Sequence, residues 1–117
     1  MLRGDRTRSF STIGAYRKWC NHADSVGFPV GGMQMVLGVD ATHLHVFTST
    51  FLLGRAKRLA GSVPLSSIAQ FTVVRGLTKS RIALLYSDGA FIEFEAFSRR
   101  GARKLVEAAI AHRDSQR

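Results

Sequence analysis

The sequence predicts an α+β domain, a curled antiparallel sheet or partly open barrel of six or seven strands capped by a C-terminal helix, with a short extra N-terminal helix. Three observations predict it. Apolar residues recur with a period of two through most of the chain after Val30-Gly31-Gly32, as on strands with one buried face. Asp88-Gly89 separates two such runs, Ile82–Tyr86 and Ile92–Ala96, and this residue pair tolerates the positive φ of a two-residue hairpin turn. From Ser98, a plausible N-cap, the period changes: Ala102, Leu105, Val106, Ala109 and Ile110 share one face of a helix. Consecutive antiparallel strands ending in one helix give a sheet that the helix must cover.

The chain has 117 residues, 45% of them hydrophobic, enough for one ordinary core. Its formal net charge of +9 favours anionic partners. The single cysteine, Cys20, admits no internal disulfide. The start, Met1-Leu2-Arg3-Gly4-Asp5-Arg6, has no apolar signal-peptide core, and no apolar run has the length of a membrane span. A cytoplasmic setting is the simplest expectation, with any membrane contact made peripherally at the inner face.

Residues 1–10 hold Arg3, Arg6 and Arg8 with little apolar content and read as a mobile basic arm. Over residues 12–24, Ile13, Tyr16, Trp19, Cys20 and Ala23 share a helical face. Gly27 ends the helix and Pro29 prevents its return. At about three turns, docking on the core is its expected fate. The alternative is an interfacial helix with Trp19 and Tyr16 among lipid headgroups. The division expected is residues 1–29 as arm and helix, 30–113 as the sheet domain and 114–117 as tail.

Within the domain, Met33–Val39 and His43–Phe51 read as strands joined at Asp40-Ala41-Thr42. Leu59–Val63 is a short strand stopped by Pro64, which cannot donate to a central ladder. Ile68–Arg75 precedes the closing hairpin.

Here a resemblance enters. Met35-Val36-Leu37-Gly38-Val39-Asp40-Ala41-Thr42-His43-Leu44-His45-Val46-Phe47 resembles the strand–turn–strand of bacterial pleckstrin-homology-like (PH-like) domains, and Gly54–Ile68 resembles the stretch that follows it there. The hairpin 81–96 and helix 98–112 match the end of such a domain, so the resemblance covers roughly residues 33–112. It implies a seven-stranded binding module. Only six strands are countable from Met33 onward, so the first must come from residues 26–32 or the arm, or be absent and leave an edge open to a second chain. Lipid-binding members use a basic loop between their first two strands; Asp40-Ala41-Thr42 is acidic and short, so no phosphoinositide site carries over.

Two groups of cations stand out. Arg55, Lys57 and Arg58 with Arg75, Lys79 and Arg81 come from two loops whose convergence would make a basic rim for phosphates or an acidic peptide. Arg99 and Arg100 face the positive end of the last helix dipole, a conflict that a bound anion relieves. His43 and His45 share a strand face, but no third ligand stands at metal-site spacing. No nucleophile, paired-acid or phosphate-loop motif appears. The expectation is therefore a protein that is not an enzyme and needs no cofactor: a binding module for an acidic protein segment or an anionic membrane surface. Nucleic-acid binding through the arm and loops is the second reading, and self-association through an open strand edge the third.

Overall fold

Ladder pairing divides the strands into two antiparallel sheets in the computed structural model, which describes residues 3–6, 13–32, 34–49, 56–75, 80–96 and 99–115. The first sheet has the order β1 (Arg3–Arg6), β2 (Met35–Val39), β3 (His43–Ser49), β4 (Ala56–Pro64); the second has β5 (Ile68–Arg75), β6 (Ser80–Tyr86), β7 (Phe91–Ala96). Helix α1 (Ile13–Val26) lies between β1 and β2 in sequence, and α2 (Arg99–Ser115) ends the fold. A 3-10 turn, Leu65–Ser67, carries the chain from one sheet to the other.

The first strand corrects the expectation of a mobile arm. Arg3, Gly4, Asp5 and Arg6 pair antiparallel with Val39, Gly38, Leu37 and Val36. A strand of four residues with no apolar alternation is held by its backbone ladder, which hydropathy cannot reveal. β4 likewise begins at Ala56, earlier than the apolar run at Leu59 suggests, because its first five residues are exposed and carry no burial pattern.

Burial follows the alternation on β3 and β7, whereas all five residues of β2 and the run Ile82, Ala83 and Leu84 of β6 are buried. Leu37, Val39, Leu44 and Val46 from the first sheet meet Ile82, Leu84, Ile92 and Phe94 from the second, and Ala102, Leu105, Val106 and Ala109 of α2 close the core. An interior void of about 10 Å³ is walled by apolar side chains such as Leu37, Phe94 and Leu105. That is room for about one water and offers it no polar partner.

α1 ends in a Schellman motif. Gly27 has φ +77°, its N–H donates to the Asp24 carbonyl (3.3 Å), and the Phe28 N–H donates to the Ala23 carbonyl (2.8 Å). The turn drives Phe28 into the core, where its ring lies 5.5 Å from that of Phe94. The β6–β7 turn corrects a second detail. It is a three-residue loop, Ser87–Gly89, rather than a two-residue one, because the Tyr86 N–H reaches the Ala90 carbonyl (2.8 Å). Gly89, at φ +93°, supplies the left-handed residue that this loop needs.

Candidate functional site

The outer face of β3 and β4 brings together the chemistry that the core does not use. Leu44 and Val46 point inward, so His43, His45 and Phe47 point outward. Their rings form a row: His43 and His45 stack at 5.9 Å, and Phe47 tilts against His45 at 6.3 Å. Strand register places Ser62 opposite His45 and Leu59 opposite Phe47 on β4, and Gly38 opposite His45 on β2. Leu59 is 51% exposed.

His45 is held from both sides. Its Nε2 lies 2.6 Å from Asp40 Oδ2, and its Nδ1 lies 2.6 Å from Ser62 Oγ. Asp40 closes the β2–β3 turn as well: Oδ1 accepts from the N–H groups of Thr42 and His43, both at 2.9 Å, and from the Thr42 hydroxyl at 3.3 Å. The His45 bond first, then those backbone donors, hold the Asp40 carboxyl well below the usual carboxylate range. A carboxylate only accepts, so in the neutral form of the imidazole the proton sits on Nε2 and Nδ1 is left to accept from the Ser62 hydroxyl. No local motif announces this chain of groups. Asp40, His45 and Ser62 are five and seventeen residues apart, and only the β3–β4 register brings the third to the first two.

The described cations among those singled out from the sequence stand on β4, β5, β6 and α2. Lys57 and Arg58 are exposed on β4 beside Leu59 and form no ion pair among the described residues. Arg81 is exposed on β6 of the other sheet, where its Nη1 is 3.1 Å from Glu93 Oε1 of β7. Arg75 ends β5, Arg99 opens α2, and Arg100 is exposed in the first turn of α2. Arg55 and Lys79 lie outside the described residues, as does the expected N-cap Ser98.

α1 is docked. The Trp19 indole N–H donates to the Glu93 carbonyl at 2.8 Å, and its ring meets Phe28 edge-on at 5.9 Å. His22 bonds to the carbonyl of Phe91. The helix thus lies along the outer edge of β7. Tyr16 is half-buried on the same helix. Burial first and then a bond to Cys20 push its phenol up to about 12. Among the described residues no three His, Cys, Asp or Glu side chains gather into a metal-ligand set.

The sequence matches no known protein family, and no curated protein is significantly similar to it.

Proposed function

We propose that the chain is a PH-like binding module, without a catalytic reaction of its own as its main task, that takes an extended acidic protein segment along β4, an end strand that no other described strand pairs on its outer side. The fold reading is supported by the strand order, four strands then three, with a C-terminal helix over the core. Seven strands and a closing helix are what the resemblance implies.

One observation carries the binding reading. β4 is the last strand of its sheet, and Ala56–Ala60 at its start are exposed. An edge strand offers unpaired backbone donors and acceptors to a second strand. Here that edge carries Lys57, Arg58 and the exposed Leu59. Backbone pairing would supply affinity, Leu59 an apolar contact, and the two cations a preference for acidic residues and a faster encounter at low salt.

The test is fluorescence anisotropy with labelled peptides of alternating acidic and β-branched residues. A charge-reversed peptide, anionic vesicles and an oligonucleotide serve as competing ligands at two salt concentrations. Salt-sensitive binding of the acidic peptide, weakened about tenfold or more in K57E/R58E, is the expected result. Binding only to vesicles would move the reading to a membrane surface, and a steep salt slope with the oligonucleotide alone would move it to nucleic acid.

A further inference from the structure

We propose that Ser62 is an activated nucleophile, with His45 as its general base and Asp40 as the positioning residue, and that it takes an acyl group from small activated acyl donors such as aryl esters or acyl phosphates. The inference stands on side-chain geometry and does not rest on the docking of a peptide at β4.

Three features of the site carry it. The first is the unbroken chain Ser62 Oγ, His45, Asp40, with both links at 2.6 Å. It has the connectivity that serine acyl transfer requires: nucleophile, base, and a group that orients the base. The ring nitrogens are used in the opposite sense from the best-known triads, with Nδ1 toward the serine. The chemistry needs only that the nitrogen facing the hydroxyl carry the lone pair, and Asp40 on Nε2 enforces this. Asp40 is itself fixed by the Thr42 and His43 N–H groups, so the array does not depend on a mobile carboxylate.

The second feature is access. Ser62 is exposed, whereas the His45 side chain is only 19% exposed between the rings of His43 and Phe47.

The third feature is a donor beside the nucleophile. The Leu65 N–H donates to the Thr42 carbonyl at 2.9 Å. Ladder bonds alternate, so Val63 turns its backbone to β3 and Ser62 turns its N–H to the outer edge of β4, where it has no hydrogen-bond partner among the described residues. Pro64, of the same parity as Ser62, has no N–H to place there. The Ser62 N–H is thus available to an oxygen that becomes negative as Oγ adds to a carbonyl.

The step balances with these groups alone. As the Oγ–C bond forms, the hydroxyl proton passes to His45 Nδ1, and the imidazolium is held against the Asp40 carboxylate. As the bond from the acyl carbon to the leaving oxygen breaks, that proton passes to the leaving oxygen. Ser62 is left as an ester, and the alcohol or phosphate departs.

The experiment incubates the full chain with p-nitrophenyl acetate, locates acetyl groups by peptide mass spectrometry, and compares the wild type with S62A, H45Q and D40N, each checked for folding by circular dichroism. Ser66, exposed on the following turn, is an internal control that has no histidine partner among the described residues. The expected result is acetylation of Ser62 in preference to Ser66, absent in S62A and slowed about 100-fold in H45Q. For D40N, slower acetylation with the His45 ring proton moved from Nε2 to Nδ1, read by nitrogen-15 spectra, is expected; a purely structural aspartate would leave the tautomer unchanged. No adduct at Ser62 in the wild type, or equal labelling of Ser62 and Ser66, overturns the proposal without recourse to any variant. An undiminished Ser62 adduct in folded H45Q overturns it as well.

Discussion

Asp40 shows how one residue serves local and long-range structure together. Its Oδ1 satisfies the turn it opens, and its Oδ2 reaches His45 two residues into β3. A carboxyl held below its ordinary value contributes stability that is complete above its unfolded pKa and is lost as pH falls through the folded one. The window therefore opens at about pH 4 and extends downward. Asp40→Ala is expected to lower the Tm by about 4 °C at neutral pH, the loss of about one net hydrogen bond in a domain of this size. The gap to the wild type should close as pH falls from 4 toward 2, which melting curves across that range will show. A gap independent of pH would mean that the turn alone, and not the charge, is responsible. The hydropathy pattern placed His43 and His45 on one face of a strand but could not find their partners, because polar contacts leave no period in a sequence.

At the scale of elements, what could be read from the chain was what burial dictates. The β6–β7 hairpin and α2 followed from apolar spacing, since each presents a face to the core. β1 did not, for its residues have no such spacing and its partner row is set by register. The cations were visible, but whether they converge depends on which sheet holds each strand. Lys57 and Arg58 stand on one sheet, Arg81 on the other. Gly61 illustrates a constraint of the same kind. A Cβ there would lie 2.7 Å from the Cβ and Cγ atoms of Pro29 in the link from α1 to β2. Gly61→Ala must push that link off β4, at a cost of about 1–3 kcal/mol, to be measured by urea unfolding. An unchanged midpoint would show that the link yields freely. Since Ser62 is the next residue, the variant should also weaken Ser62 acylation.

For the whole molecule, β1 and α1 each cover a sheet edge: β1 pairs with β2, and α1 lies along β7. Removing residues 1–6 should bare the edge of β2 and lower stability, and light scattering should detect dimers or larger species formed by strand pairing. A monomer with an unchanged Tm would show that β1 guards nothing. The contact between Trp19 and Glu93, seventy-four residues apart, bears on folding as well. The only tryptophan of the chain sits where an early helix meets the last strand, so its bond can form only after nearly the entire polypeptide is in place. Its fluorescence is therefore a reporter of closure. In stopped-flow refolding it should change with the slowest phase that completes the native state, while local helix formation passes unseen by it.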